Sequence, residues 1–291
     1  MISIVIISKD EPSLDATLTG VVEQAGHVAE QCEILVVDAS EGRLDHIRGR
    51  HARQVRWLDF RRPPGARTSI PHQRNAGVAA AAGDVIVFTD SGCIPAVGWL
   101  VSLVAPLRAT EHVTAGVTRS SAAGIGLYDK LPAQVEAQRY LAECPTINMA
   151  FRRQAFEAVG GFDECFAYGS DIDFSWRLID AGYRILRVPE AVVRADWGDF
   201  RRQLRRSYSY GKARVRLYRK HRSRLRRILR TDPMMVVYPA FLLGLPLTLV
   251  FPLYPALLLI PAWRNRSHGS VQVLVDHLTF GLGVLAELAG R

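Results

Sequence analysis

The sequence predicts an α/β fold, a mostly parallel, doubly wound sheet with helices on both faces, followed by apolar helices toward the C-terminal end. Three observations predict it. Short β-branched apolar runs at Ser3–Ser8, Glu33–Asp38, Val55–Asp59 and Val85–Thr89 alternate with segments of helical character. Two of these runs lead into a carboxylate, Asp38 and Asp90, and open sheets of this kind bind ligands beyond the carboxyl ends of their strands. From Pro233 to Trp263 the chain carries no charged residue.

The elements follow in order. After the first strand, Lys9-Asp10-Glu11-Pro12-Ser13 turns into a helix running to about Gln24, with Asp10 or Ser13 as N-cap. Residues 41–53 form a short helix between strands two and three. Arg61 to Pro71 is a loop rich in Pro, Gly and Arg, and Gln73 to Ala82 is a helix of small residues. The next strand ends at Asp90 and breaks at once into Ser91-Gly92. Read locally, Asp38 and Asp90 are either turn and helix caps or ligands for ribose hydroxyls, a base, or a metal on a diphosphate. Neither GxGxxG nor GxxxxGK[ST] occurs, so neither a dinucleotide fingerprint nor a P-loop is present.

The 291 residues allow one large domain or two small ones. Hydrophobic content of 48% is high for a fully soluble enzyme. Met1–Ile7 carries no basic region and no cleavage site follows it, so no signal peptide is expected. Four scattered cysteines without a CxxC pair fit a reducing compartment and give no zinc signature. The net charge of +9 is local in origin: residues 201–230 hold 14 Lys and Arg and no acid, while the remainder holds 23 basic and 28 acidic residues. Tyr208, Tyr210 and Tyr218 interleave with that basic block, a pattern compatible with nucleic acid. The block adjoins the uncharged run, however, and a basic segment beside an apolar one reads as juxtamembrane on anionic lipid, so no nucleic-acid partner is expected. The uncharged run is 31 residues, about 46 Å as a single helix against a hydrocarbon core of about 30 Å. Pro239, Pro246, Pro252, Pro255 and Pro261 inside it favour a kinked span or a re-entrant hairpin. Val271 to Ala289 is a further apolar segment made amphipathic by Asp276, His277 and Glu287.

Five ordered pieces carry a family resemblance. Ser3–Ser13 resembles the opening strand and loop of inverting family-2 glycosyltransferases of the GT-A fold. Glu33–Asp38 is similar to their second strand, and Gln73-Arg74-Asn75-Ala76-Gly77 with Ala82-Gly83-Asp84 and Phe88-Thr89-Asp90 to their RNxG…FxD run. Thr146–Arg153 with Gly160–Glu164 resembles their acceptor-side segment, and Gly169-Ser170-Asp171 through Leu178 their Glu-Asp helix start. The match spans about residues 1–215. It implies a catalytic domain over residues 1–200, with a nucleotide-sugar half at 1–95 and an acceptor half at 96–200. A basic juxtamembrane segment (201–232) and membrane-associated helices (233–291) follow, and the positive-inside rule puts the catalytic domain on the cytoplasmic face of the cell membrane.

The resemblance also implies roles. Ser8, Glu11, Asp38, Arg74 and Asp90 would bind the nucleotide-sugar donor, with Arg74 on the diphosphate. Asp171 would be the base that deprotonates an acceptor hydroxyl, kept ionised by its place at a helix N-terminus. Asn148, Phe162 and Asp163 would lie on the acceptor side, the acceptor being lipid-linked or a cell-envelope glycan. Two departures stand out. Ser170 occupies the place of the family's Glu, and Asp90-Ser91-Gly92 stands where Asp-x-Asp is common. A divalent cation, Mg²⁺ or Mn²⁺, would then rest on Asp90, diphosphate oxygens and a further ligand such as Asp196. Gln203-Leu204-Arg205-Arg206 lacks the Trp of the processive QxxRW signature, which favours transfer of a single sugar. Two other readings remain: a catalytically weak relative serving as a membrane assembly partner, and a nucleotidyltransferase.

Overall fold

The computed structural model describes residues 1–66, 69–120, 138–264 and 270–290. The chain separates into two compact units, the first running to Asp196 and the second beginning at Trp197.

The first unit is built on one nine-stranded sheet. Its strands are β1 (Ile2–Ser8), β2 (Cys32–Asp38), β3 (Arg56–Asp59), β4 (Val85–Asp90), β5 (Cys93–Pro95), β6 (Val113–Ser120), β7 (Tyr140–Leu141), β8 (Asn148–Arg152) and β9 (Ile185–Ala195). They run in the order β3-β2-β1-β4-β8-β6-β9-β5, with β7 beside β9. Strands β3, β2, β1 and β4 are parallel, as the alternation predicts. Beyond them the sheet is mixed. β8 is antiparallel to both β4 and β6, β6 is parallel to β9, and β5 and β7 are antiparallel to β9.

Register explains why the strand ends form a site. Ser8 pairs with Asp38, Asp38 with Asp59, and Ile7 with Asp90, so polar residues from four strands finish along one edge. β1 is buried along its whole length, and β4 is buried until Asp90. Helix α1 (Leu14–Ala25) buries Leu14, Leu18 and Val21 at helical spacing. Neither expected cap acts through its side chain. The Ser13 hydroxyl donates to the Glu11 carboxylate at 2.6 Å, and Asp10, at φ 55°, accepts from Arg43 at 2.6 Å. Helices α2 (Asp45–His51), α3 (Ile70–Ala80), α4 (Trp99–Arg108), α5 (Arg153–Ala158) and α6 (Ser170–Asp180) complete the unit. Gly77 lets α3 lie directly on β1 and β2, since a Cβ there would stand 2.4 Å from Val5 Cγ1. Phe88, Phe151, Phe156, Phe162 and Phe174 fuse into one aromatic cluster, with Phe162 and Phe174 centroids 4.4 Å apart.

In the second unit α7 (Phe200–Lys220) starts at Asp199, whose carboxylate accepts the Arg202 amide at 2.8 Å. The uncharged run turns back on itself, with Phe241 stacked on Tyr254 and the Tyr254 hydroxyl donating to Phe241 O at 3.0 Å. It breaks into short pieces: α9 (Met234–Leu243), two 3₁₀ turns (Leu245–Leu249 and Tyr254–Leu258) and α10 (Leu259–Arg264), preceded by the one-turn α8 (Ile228–Thr231). Ten residues of helix rise about 15 Å, half a hydrocarbon core. Among the described residues, the apolar helical stretch long enough to cross is Val271–Ala289, in α11 (Ser270–Ala289).

Asn148 is placed differently from its acceptor-side expectation. Its side-chain carbonyl accepts the Trp99 indole N–H at 2.8 Å, and its amide donates to Val117 O at 3.0 Å and Ala191 O at 2.9 Å. Those carbonyls flank the shift in β6–β9 register between Ala115 and Val117, where a Cβ on Gly116 would meet Ala191 O at 2.2 Å. Asn148 therefore seals a bulge inside the sheet, and it is only 2% exposed. Asn148→Ala would strand the Trp99 donor and the two carbonyls, so denaturant unfolding should show a loss of about 3 kcal/mol. A loss below about 1 kcal/mol would return the residue to the ligand side.

Candidate active site

The site is organised by α3. The Gln73 side-chain amide donates to Ser8 O and to Val37 O, both at 2.9 Å, and so pins the helix to the carboxyl ends of β1 and β2. The next residue, Arg74, is 6% exposed. Its guanidinium donates to Asp90 Oδ1 at 3.3 Å and lies over the Phe162 ring, 5.6 Å from the centroid. Asn75 then grips the Phe162 backbone from both sides, accepting its N–H and donating to its C=O at 2.9 Å each, and also donates to Glu164. His72 meets the same Glu164 carboxylate at 2.9 Å. Three successive α3 residues thus hold the carboxyl-end edge of the sheet and the loop after Gly161 together. Asn75 and Gln73 gain their roles through this packing, although they sit in the motif already quoted.

Asp38 is nearly enclosed. Its Oδ1 accepts the Ser40 amide at 3.2 Å and the Ser40 hydroxyl, so it orders the β2 turn instead of capping α2. Burial raises its pKa, opposed by Ser40 and by Trp57. The hydroxyls of Ser8 and Thr89 and Nε of Arg74 are buried without a partner in the protein, which marks this edge as polar and unsatisfied. Glu11 lies against the Asp90-Ser91-Gly92 turn: a Cβ on Gly92 would stand 4.0 Å from Glu11 Cγ and 3.1 Å from Ser13 Oγ. Gly92 has φ +88°, so an aspartate at the second position of an Asp-x-Asp would be strained here.

Asp171 lies in the first turn of α6, after Gly169 at φ 81°. It accepts the Ile172 N–H at 2.9 Å. The helix start does not decide its proton affinity. Burial dominates and raises the pKa, Arg74 pulls it back, and the nearby Glu143 charge pushes it up. The expectation of a lowered pKa is therefore corrected, because the helix-end field is a local effect and desolvation outweighs it. Glu143, which accepts from the Trp176 indole at 3.1 Å, brings a carboxylate near Asp171 from a distant part of the chain. Ser170, in the place of the family's Glu, is 4% exposed. Asp173 is a different group altogether. It is fully buried and ion-paired with Arg177 at 2.8 Å, whose guanidinium also donates to Val159 O and Gly161 O.

Phe162 is buried in the aromatic cluster, and Asp163 accepts the Cys165 amide at 2.9 Å. Asp196 is exposed; it follows Ala195, whose antiparallel partner is Cys93, so the strand pairing brings it beside the Gly92 turn. Among the described residues, no three His, Cys, Asp or Glu side chains gather closely enough to hold a metal by themselves. Any cation bound at Asp90 would draw on donor oxygens as well. The arrangement as a whole brings together a polar strand edge, a buried guanidinium paired with Asp90, and a carboxylate, Asp171, that feels the same positive charge.

Comparison with known proteins gives the same direction. The chain is 33% identical over 139 residues to the pre-mycofactocin glycosyltransferase of Mycobacterium tuberculosis, covering 42% of this chain and 29% of that protein. It is 24% identical over 164 residues to the glycosyltransferase AglE of Haloferax volcanii, 53% of each. The chain therefore spans between about a third and half the length of these relatives. In fold it is similar to the mannosyltransferase PcManGT of Pyrobaculum calidifontis, a structure in complex with GDP-Man and Mn²⁺, with a TM-score of 0.70 at 17% identity over 100% of this chain and 87% of the other. It is also similar to GalNAc-T7 with UDP, GalNAc and Mn²⁺, with a TM-score of 0.53 at 20% identity over 67% of this chain and 43% of the other. The sheet accordingly has the GT-A fold. The model of glycosyl transferase family group 2 matches residues 132–264. That of glycosyl transferase family 2 matches residues 3–160, from the opening strand through the β4 edge to the loop that Asn75 holds, and with more than half the chain inside it this protein belongs to glycosyl transferase family 2.

Proposed function

We propose that this chain moves a sugar from a nucleotide-sugar donor to a hydroxyl of a lipid-linked or cell-envelope acceptor by a single displacement with inversion. The observation that carries the reading is the grouping of Asp90, Arg74 and Asp171: the Arg74 guanidinium donates to the strand-end carboxylate Asp90, and its charge also acts on Asp171, a half-buried carboxylate whose pKa desolvation raises. In the reaction, the acceptor oxygen forms a bond to the anomeric carbon as the bond to the diphosphate breaks. The acceptor proton passes to Asp171, and the diphosphate leaves on the opposite face. A carboxylate whose pKa is raised is a stronger base than an ordinary one, which favours taking the proton from the acceptor hydroxyl.

Ser8, Glu11 and Asp38 are the proposed donor contacts at the polar edge. Arg74 is buried and already paired, so its role is to set the charge balance between Asp90 and Asp171 beside the diphosphate. Phe162 and Asp163 belong to the loop assigned to the acceptor. The residues fit a divalent cation held jointly: Asp90, with Asp196 beside the turn, would hold Mg²⁺ or Mn²⁺ together with diphosphate oxygens. Such an ion would neutralise the charge on the departing diphosphate. The Mn²⁺ and the nucleotides in the two structural neighbours support this choice. The basic block and the exposed apolar segment of the second unit support a place on an anionic membrane, on its cytoplasmic face, with no nucleic-acid partner.

Asp171→Asn should lower turnover by about 10²- to 10⁴-fold with donor binding near normal, measured by single-turnover kinetics and donor titration. Asp173→Asn should instead lower the melting temperature, because Arg177 would lose its buried partner. Unchanged turnover in Asp171→Asn removes it as the base.

The pH profile follows from sign. A carboxyl with a raised pKa is protonated, and so inactive as a base, up to a higher pH than an ordinary one. The acid limb of kcat should therefore lie above the usual carboxylate value of about 4, and a limb at or below that value contradicts the assignment.

For the metal, calorimetry with Mn²⁺ should show weak binding to the protein alone and clear binding once a nucleoside diphosphate is present. Asp90→Ala should abolish the second. Tight binding to the free protein would mean that protein ligands complete the site.

A further inference from the structure

Among the described residues the second unit contains one helix with the length and composition of a membrane span, Val271–Ala289, yet its packing argues against a crossing. Helix α11 runs parallel to α7 along its length. At one end Asp276 accepts from Gln203 at 2.9 Å and from Ser207; at the other Glu287 accepts both Nε and Nη2 of Arg216 at 2.9 Å. Between these ties the two backbones abut. A Cβ on Gly211 would stand 2.1 Å from Phe280 O, and one on Gly283 2.1 Å from Tyr208 O. On another side α9 closes in: a Cβ on Gly281 would meet Tyr238 Cβ at 3.0 Å, and the Tyr238 hydroxyl lies 2.7 Å from His277 Nδ1.

The partner helix cannot enter a bilayer. Phe200–Lys220 carries nine Lys and Arg and no acid, with Arg201, Arg202, Arg205, Arg219 and Lys220 exposed. Charged side chains at bilayer depth are strongly unfavourable. A helix locked alongside this one stays where it stays. The exposed apolar surface lies elsewhere, on the broken segment: Leu249 is 89% exposed, Leu253 82% and Phe251 63%. Short 3₁₀ and helical pieces leave many end groups to satisfy, which suits the headgroup boundary and not the hydrocarbon interior. The adjoining Arg222, Arg224, Arg226, Arg227 and Arg230 supply the cations that anionic headgroups attract.

We propose that the second unit is seated on one leaflet of an anionic bilayer, with the segment from Leu243 to Trp263 dipping into the headgroup–acyl boundary and α11 serving as the unit's internal spine, crossing nothing. This rests on the membrane reading above and specifies its mode.

The test uses the full chain with an epitope tag after Arg291 and sealed vesicles of phosphatidylcholine with and without phosphatidylglycerol. Expected are binding that prefers phosphatidylglycerol, retention at high salt, and digestion of the tag by external protease without detergent. Phe251→Glu with Leu253→Glu, both exposed and outside the packed core, should lower the partition coefficient roughly tenfold or more while leaving the melting temperature unchanged. A tag protected until detergent is added means that α11 crosses, which overturns this inference and leaves the membrane reading standing. Failure to bind either vesicle at low salt overturns both. A soluble dimer indifferent to lipid would assign the apolar segment to a second copy and overturns both as well. Undiminished binding by the double variant removes the segment from the contact.

Discussion

A single buried cation sets the terms for the catalytic unit. Arg74 is withdrawn from solvent, and a guanidinium there is tolerable only among compensating groups. Asp90 supplies one, the face of Phe162 another, and Asp171 feels the charge without displacing its neighbours. The placement depends on α3 lying against the sheet, which in turn depends on Gly77 having no Cβ to strike Val5 and on Gln73 clasping the ends of β1 and β2. One helix thereby fixes the spacing between the edge where a donor would bind and the carboxylate that would accept a proton. A metal bound at Asp90, as proposed, would compete with Arg74 for the same oxygen, and its affinity would then be coupled to the proton affinity of Asp171 through that one side chain.

The parts of this design visible in the sequence are those with a local signature. Strands that end on Asp38 and Asp90 declare themselves because parallel β-branched runs are buried on both faces and stop abruptly at polar residues. Their shared edge follows from parallel register. The second half of the sheet carries no such alternation. Its antiparallel partners are chosen by contacts between β4, β8 and β6 that lie tens of residues apart, so a reading extended from the first half overstates the parallel character. Asp171 illustrates the same limit in electrostatics. A helix N-terminus is visible in a few residues, whereas the desolvation that outweighs it is assembled by the whole fold. Glu143 and the bulge-sealing role of Asn148 are likewise tertiary: neither has a neighbour in sequence that signals its function.

The surroundings of Asp171 show a compensation for the altered motif. Where the family's Glu would precede Asp171, the chain has a buried serine, yet a carboxylate near Asp171 is retained through Glu143 on the strand-β7 side, oriented by Trp176 of the same helix that carries Asp171. Charge near a base can be contributed from any element that reaches it, and the effect on proton affinity depends on distance and burial, not on adjacency in sequence. Loss of a motif residue therefore does not by itself mean loss of the environment that the motif provides.

The second unit solves a related problem at larger scale. A helix with nine cations and no acid repels itself, and an apolar helix bearing Asp276 and Glu287 would leave those acids unpaired in its own interior. Packed in parallel, each corrects the other: Glu287 draws in Arg216, Arg219 and Lys212, while Asp276 takes the amide of Gln203 and the hydroxyl of Ser207. Glycines at the contact bring the backbones close enough for both ends to be tied at once. Hydropathy summed along α11 alone records its apolar residues and misses this partner. The acids that interrupt the apolar face of this helix are the same groups that make it a good neighbour for α7.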